Sequence, residues 1–168
     1  VDNDLDLGGH EWISIGDGAN TDVGSFQGVF DGQSHVVYNL YSHEGLKSEN
    51  KDNNNNLYRN GLFGSIYNAT VKNLGIENAD IVIPMKDGST YGKGILVDWM
   101  THSTINNCYT TGSITGGSYV EKYIGGIAGF LNGNNSISQC YSTAAITGNY
   151  DGEYYAEQEG GLEPMDCW

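Results

Sequence analysis

The stretch Ile105-Asn106-Asn107-Cys108 and the stretch Ile137-Ser138-Gln139-Cys140 are two copies of one phrase. A third copy, Val71-Lys72-Asn73-Leu74, precedes them, and Val37-Tyr38-Asn39-Leu40 comes earlier again. The copies therefore begin at positions 37, 71, 105 and 137, which is a nearly constant spacing. A period of this size is typical of a solenoid, in which each repeat buries its apolar face only against its neighbours.

Two further apolar segments accompany the phrase in each repeat. One precedes it and begins with glycine: Gly61-Leu62-Phe63-Gly64, Gly94-Ile95-Leu96-Val97 and Gly126-Ile127-Ala128-Gly129. The other follows it and contains Ile81, Ile114 or Ile146. Short β-branched segments bounded by Gly, Asn and Ser predict strands. We therefore predict an all-β, single-stranded parallel β-helix (β-solenoid) of about 32–34 residues per coil, with three short strands per coil and a right-handed turn. In this alignment Val97 stands where the other two copies have glycine.

Equivalent residues of successive coils should stack in columns, because each strand pairs with its counterpart about 4.8 Å away. Two inward columns are predicted: Leu40, Leu74, Cys108 and Cys140; and Val37, Val71, Ile105 and Ile137. An amide ladder is predicted at a bend, formed by Asn39, Asn73, Asn107 and Gln139. Tyr41, Tyr109 and Tyr141 should stack on the outside, either as a sugar platform or as simple cross-strand packing.

The chain of 168 residues has the size of one domain. We expect a single β-solenoid domain over 1–168, or a fragment of a longer one. Its parts are an irregular N-terminal coil (1–40), repeats (61–83, 94–115 and 126–147) and a partial repeat or cap (160–168). The sequence shows no signal peptide, initiator Met or apolar run long enough to span a bilayer. A fourth repeat begins at Gly160-Gly161-Leu162 and stops at Trp168, so we expect either a piece of a longer protein or a terminal cap formed by Leu162 to Trp168.

One group of stretches extends over nearly the whole chain: Asp4-Leu-Asp-Leu7, Glu11-Trp-Ile-Ser-Ile-Gly16, Phe26-Gln-Gly-Val-Phe-Asp-Gly-Gln-Ser-His35, Asn39-Leu40, Gly61–Gly64, Asn73–Ile76, Asn107–Gly112 and Gly125–Gly129. Together these stretches resemble the GLUG-repeat proteins of bacteria. The family contains secreted or cell-wall-attached, adhesin-like proteins and relatives of IgA-specific metallopeptidases. The resemblance implies an extracellular β-solenoid and carries over no catalytic residue.

The net charge of the chain limits the classes of partner that it can bind. It has 7 basic and 21 acidic residues and a net charge of −14. Such a charge disfavours nucleic acid and anionic membrane surfaces, so we expect neither nucleic-acid binding nor direct membrane insertion. It suits a secreted or surface-attached protein whose partners are a glycan, a protein surface or further copies of itself.

The repeats vary most between the third strand and the next glycine-led strand, over residues 41–60, 84–92, 116–124 and 148–159. Insertions at one point of a repeat cluster on one face of a solenoid, often the binding face. The tyrosines predicted to bind ligand there are Tyr119, Tyr123, Tyr150, Tyr154 and Tyr155, because tyrosine suits sugar and protein surfaces. The alternative is a set of solvated loops whose tyrosines fold back over the coil.

No cofactor is required by the sequence, but Ca²⁺ is possible where carboxylates crowd together. Asp151 and Glu153 form one such cluster, and residues 2–6 form another. Neither has the spacing of a helix-loop-helix calcium site. Asp4 and Asp6 are equally explained as the outward half of an alternating strand.

The cysteines leave two alternatives. Cys108 and Cys140 occupy one column, so they are either buried free thiols or close enough for a disulfide. Cys167 has no partner by repeat logic, and the sequence does not decide its state.

Three functions compete. The first is a non-enzymatic extracellular structural or adhesion module that presents the variable loops. The second is a self-assembling filament subunit, since an uncapped solenoid exposes strand edges. The third is a polysaccharide-degrading β-helix enzyme, which needs paired carboxylates or a calcium ion with a basic residue. No such constellation emerges, Arg59 is the only arginine, and the motif His-Glu-x-x-His is absent. We therefore predict that the chain is not an enzyme.

Overall fold

The computed structural model describes residues 1–16, 23–44, 46–49, 56–83, 92–116 and 123–148. Within these ranges the regular elements are all β-strands. In chain order they are β1 (Leu5–Asp6), β2 (Phe26–Tyr38), β3 (Tyr41–Ser42), β4 (Leu46–Glu49), β5 (Asn56–Arg59), β6 (Phe63–Val82), β7 (Lys93–Gly94), β8 (Val97–Thr101), β9 (Thr104–Gly116), β10 (Ile124–Gly125), β11 (Ala128–Asn132), β12 (Ser136–Ser138), β13 (Tyr141–Ser142) and β14 (Ala145–Gly148).

The strands form a parallel β-solenoid of about three turns, which confirms the predicted fold class. β2 pairs in parallel with β6, and β6 pairs in parallel with both β8 and β9. The last described coil repeats this arrangement, because β11 pairs with β8 and β12, β13 and β14 pair with β9. The described exception is the antiparallel hairpin of β4 and β5, which lies between two coils.

Single residues with left-handed backbone angles bend the chain at the corners of each coil. Asn73, Asn107 and Gln139 have φ of 54°, 52° and 53° and occupy one corner. Asn39 and Asn78, with φ of 57° and 56°, occupy another. Asparagine tolerates this conformation better than most residues, which explains why asparagine recurs in the repeat. The predicted second strand is therefore bent at its polar residue into two short segments.

The register confirms the predicted columns in the central and last coils. Val71 lies opposite Ile105, and Ile105 lies opposite Ile137. Leu74 lies opposite Cys108. Asn107 Nδ2 donates a hydrogen bond to Asn73 Oδ1 at 2.9 Å, which is one step of the predicted amide ladder.

The first member of each predicted column was wrong. Val37 lies opposite Ile76 and not Val71, and the residue opposite Val71 is Phe30. The offset between these two coils is therefore longer than the repeat period. The hairpin is the reason, because it lies between Ser42 and Phe63 and lengthens that connection relative to the one between their partners, Ile81 and Val97.

Leu40 and Asn39 belong with other partners for the same reason. Leu40 is fully buried, but its carbonyl accepts the Asp80 N–H, one corner away from Leu74. Asn39 Nδ2 donates to Asp6 Oδ1 at 2.8 Å. The ladder begins instead at Asp31, whose Oδ1 accepts Asn73 Nδ2 at 3.0 Å.

The amide ladder is also irregular at its other end. Gln139 Oε1 accepts Nδ2 of Asn106, at 3.2 Å, and that amide also donates to Ser138 Oγ. The last coil therefore keeps a polar contact at this corner, but through a neighbouring amide.

The glycine-led segments align one position away from the predicted alignment. Phe63 lies opposite Val97, and Val97 lies opposite Ala128. Asp98 therefore takes the position that Gly64 and Gly129 hold in the neighbouring coils. Val97 is a buried residue of the apolar core.

The core is a narrow column of packed apolar side chains along the solenoid axis. Phe63 packs against Phe26 and Phe30, with ring centroids 5.2 Å apart in both pairs. Further along, Leu74, Ile76 and Ile105 are buried. The stretch 1–40, predicted to be one irregular coil, contains parts of two coils, because Leu5 of β1 pairs in parallel with Val37 of β2.

Both described cysteines are free thiols. Cys108 is buried and Cys140 is half-buried, and burial raises the pKa of Cys108 to about 12. Each Sγ donates to a backbone carbonyl two residues earlier, at 3.3 Å from Asn106 O and 3.1 Å from Ser138 O. The structure thus matches the free-thiol alternative, and Cys167 lies outside the described residues.

Candidate functional site

Most of the residues predicted to bind ligand or metal lie outside the described residues. These are Tyr119, Tyr150, Tyr154, Tyr155, Asp151 and Glu153. Tyr123 is described: its ring packs edge-on against Phe130 at 5.1 Å, and its carbonyl accepts the Lys93 N–H at 2.9 Å. This tyrosine therefore folds back onto the solenoid while remaining partly exposed.

The insertions leave and rejoin the solenoid on one side. The first runs from Ser42 to Phe63 and contains the β4–β5 hairpin. The residues that close the next two, in β7 and β10, run side by side as a parallel pair. The roots of successive insertions are thus neighbours, as expected for insertions at one point of a repeat.

Glu11 holds the start of the first insertion. Its carboxylate accepts the backbone N–H of His43 at 3.0 Å and of Glu44 at 3.0 Å. The same carboxylate accepts the Ser42 hydroxyl at 3.3 Å. These N–H groups lie where β3 ends and the sheet ladder no longer supplies acceptors, so a carboxylate from the preceding coil takes that role.

Asp98 holds the end of the first insertion and the end of the second. It is completely buried. Its Oδ2 accepts Asn60 N–H at 2.8 Å, and its Oδ1 accepts Gly61 N–H at 3.3 Å and Gly94 N–H at 3.0 Å. A buried carboxylate is tolerated when such charge-assisted hydrogen bonds compensate its desolvation.

Asn60 and Ser42 connect the two carboxylates. Asn60 Nδ2 donates to Ser42 Oγ at 3.1 Å, and Ser42 Oγ donates to Glu11. The series Glu11, Ser42, Asn60, Asp98 crosses three coils and touches both ends of the first insertion. We call these four residues the root clamp.

The root clamp was missed by the sequence analysis. One sequence signal points to it: Asp98 occupies the position that is glycine in the neighbouring coils. The predicted alignment was shifted by one residue and placed Val97 at that position. Close packing explains the glycines: a Cβ at Gly64 would come within 3.0 Å of the Arg59 side chain.

A second feature lies on the outer surface of the strands that follow the first corner. Tyr109 and Tyr141 stack in parallel, with ring centroids 5.3 Å apart and an angle of 6°. Tyr109 Oη donates to Glu77 Oε1 at 2.7 Å, and this bond is the main cause that raises the pKa of Tyr109 to about 12. Tyr38 lies opposite Glu77 in the preceding coil. We call Tyr38, Glu77, Tyr109 and Tyr141 the tyrosine face.

The predicted outer column is correct for Tyr109 and Tyr141 but wrong for Tyr41. Gly75 is the residue opposite Tyr109, whereas Tyr41 lies opposite Asp80. A Cβ at Gly75 would collide with the Tyr109 ring, so this glycine lets the ring lie flat on the preceding coil.

The N-terminal carboxylates are engaged with the polypeptide. Asp4 Oδ1 lies 3.0 Å from His35 Nδ1 and accepts Val36 N–H at 2.9 Å. Asp6 Oδ1 accepts Gly8 N–H at 2.8 Å as well as the Asn39 amide. These bonds lower the pKa of both aspartates, in Asp4 chiefly through Val36 and in Asp6 chiefly through Asn39.

Over the described ranges, no three His, Cys, Asp or Glu side chains gather into a group that could hold a metal ion. Among the same residues, no helix has the length and apolar character needed to cross a bilayer.

Comparison with known proteins returned no match: no family model, curated protein or solved structure is similar to this chain. The resemblance to GLUG repeats therefore stays a prediction.

Proposed function

We propose that this chain is a non-enzymatic structural or adhesion module of a secreted or surface-attached bacterial protein. Its solenoid holds the insertions on one side and presents them to a glycan or a protein surface. The observation that carries the proposal is the root clamp.

The clamp supports presentation because it concentrates polar contacts at both ends of an insertion, and those made by Asp98 and Asn60 are buried. Asp98 alone receives three backbone N–H groups, two from the end of the first insertion and one from the end of the second. A rigid framework beneath variable segments is the usual arrangement of binding loops. Rigid roots also reduce the entropy that a loop loses on binding a partner.

The composition supports an extracellular partner surface. A net charge of −14 keeps the chain soluble and disfavours anionic partners. Neutral glycans, or proteins with basic patches, fit this charge best.

The test is to remove the first insertion without touching its roots. In the variant, residues 46–58 are replaced by a short Gly-Ser turn, so that Glu11, Ser42, Asn60 and Asp98 remain. Binding of the parent chain and the variant is measured on an oligosaccharide array and on surfaces coated with mucin, fibronectin or collagen. We expect the variant to keep the thermal midpoint within a few degrees and to lose binding.

A matched control changes an exposed site away from the insertions, Ser136→Ala, and should bind as the parent does. The proposal fails if the parent binds none of these surfaces, or if the shortened variant binds as well as the parent.

Self-assembly remains a second candidate, favoured by one observation. The last described coil exposes Leu131, Ile137 and Ile146, whose outer strand edge has no described partner. Light scattering discriminates, because the presenting module is a particle of 18.2 kDa and a filament subunit forms larger linear species. Dissolution of such species by EDTA would assign the joints to Ca²⁺.

A further inference from the structure

We propose that the tyrosine face binds a neutral oligosaccharide, with the free face of Tyr141 stacked on one pyranose ring. This site is distinct from the insertions and does not rest on the function proposed for them.

The first support is the direction and exposure of the rings. On β9, Cys108 and Thr110 point into the core and are buried, so Tyr109 between them points outward. Tyr141 lies opposite Tyr109 in the last described coil and is 58% exposed. One face of its ring is covered by Tyr109, and within the described part of the chain the other face is open.

The second support is rigidity. Tyr109 is fixed at three points: its hydroxyl donates to Glu77, its ring rests on Gly75, and Tyr141 covers its outer face. The Tyr141 ring therefore lies on a preformed support. A preformed aromatic surface binds with a smaller entropic cost than a mobile side chain.

The third support is the chemistry of the rim. A pyranose presents a face of C–H groups, which packs on an aromatic ring, and a rim of hydroxyls, which need acceptors and donors. Glu77 supplies carboxylate oxygens at the edge of the stack, where the Tyr109 hydroxyl donates to it, and Tyr38 is opposite Glu77 in the preceding coil. A carboxylate with phenols accepts and donates hydroxyl bonds without requiring a charged ligand.

The charge selects among sugars. Desolvation raises the pKa of Tyr38 most, and the charges of Glu77 and Asp4 raise it further, so two carboxylates lie near the Tyr38 end of this face. An acidic sugar such as a uronic acid would be repelled, and a neutral hexose chain would not.

The test uses defined sugars on the full chain. Saturation-transfer NMR and calorimetry are run with cellohexaose, mannohexaose and chitohexaose, and with hexagalacturonate as the acidic counterpart. We expect millimolar or tighter binding of at least one neutral hexamer, and none of hexagalacturonate.

The variants identify the face. Tyr141→Ala should weaken binding by roughly tenfold, whereas Tyr141→Phe should stay within about threefold, because it keeps the ring. Ile146→Ala is the matched control: it removes a comparably exposed apolar side chain from the same coil and should leave binding unchanged. The thermal midpoint of each of the three variants is measured, so that loss of fold is separated from loss of binding.

Three results overturn the proposal: no neutral hexamer binds, Tyr141→Ala binds like the parent, or hexagalacturonate binds as tightly as the neutral sugars. A chain that binds sugar through the insertions would survive Tyr141→Ala and lose binding in the 46–58 replacement. Failure here is therefore distinct from failure of the function proposed above.

Discussion

The central coil and the last described coil carry the same residues in register, yet only the central coil buries them. Ile105 is 0% exposed and its partner Ile137 is 39% exposed. Ile114 is 0% exposed and its partner Ile146 is 48% exposed. The local sequence is equivalent, but β9 has described neighbours on both edges, whereas β12 and β14 each have a described neighbour on one edge. In this fold, burial is thus a property of the stack and not of the single repeat.

The largest expected effect is a difference in stability between variants of the buried Ile105 and the exposed Ile137. Ile105→Ala should destabilise the fold by about 3 kcal/mol, because it leaves a cavity between two coils. Ile137→Ala should cost only about 1 kcal/mol, since part of that side chain already faces solvent. Guanidinium unfolding of both variants measures the difference. Equal losses would show that the last coil is as well covered as the central one.

A second prediction extends the comparison to polar groups at the insertion roots. Asp98→Asn should cost about 2 kcal/mol, because the buried site loses charge-assisted acceptors for backbone N–H groups. Glu11→Gln should cost about 0.5 kcal/mol, since Glu11 is exposed and water replaces part of its role.

Hydrogen exchange gives this prediction its independent measurement. The amides of Gly61 and Gly94 should lose protection in Asp98→Asn, while those of His43 and Glu44 should not. Unchanged protection at Gly61 and Gly94 would refute the root clamp.

A third prediction separates local backbone cost from stacking. Gln139 has a left-handed φ of 53° with a side chain that is less suited to it than asparagine or glycine. Gln139→Gly should therefore stabilise the chain by about 0.5 kcal/mol. Asn107→Ala, with φ of 52°, should cost about 1 kcal/mol. Thermal unfolding distinguishes the signs, and destabilisation by Gln139→Gly would contradict the assigned corner.

The smallest effect is a pH dependence at the first corner. The pKa of Asp31 is lowered to about 2, first by the Gln33 backbone N–H, then by the Asn73 amide, with a smaller part from Lys72. A lowered pKa contributes stability that is present above the ordinary value near 3.8 and is lost as pH falls toward 2. Asp31→Asn should flatten the stability profile between these values. The control Ser136→Ala, at an exposed position without a titratable group, should leave the slope unchanged.

Much of the fold could be predicted from the sequence because equivalent residues of the repeat occupy equivalent positions in successive coils. Asn73 and Asn107, each followed by an apolar residue in the same column, fix the corner and the register of the central coils. The register of the first coil could not be predicted, because the hairpin lengthens that repeat. The similar stretch Val37–Leu40 lies at the next corner, where Asn39 matches Asn78.

The candidate sites were less accessible to sequence reasoning. The root clamp joins Glu11, Ser42, Asn60 and Asp98, which are far apart in the chain and share no motif. Their proximity depends on which coil each residue enters, and that depends on the register. The tyrosine face was partly predictable, since Tyr109 and Tyr141 follow the repeated phrase, but Glu77 and Gly75 join them only through the stacking.

The most direct test of the stacked register is a set of methyl NOEs in a sample labelled at Ile, Leu and Val. The structure predicts contacts from Ile105 to both Val71 and Ile137, and from Val37 to Ile76. A contact between Val37 and Val71 in place of that between Val37 and Ile76, or no contact between Ile105 and Ile137, would contradict the solenoid register on which the root clamp and the tyrosine face both depend.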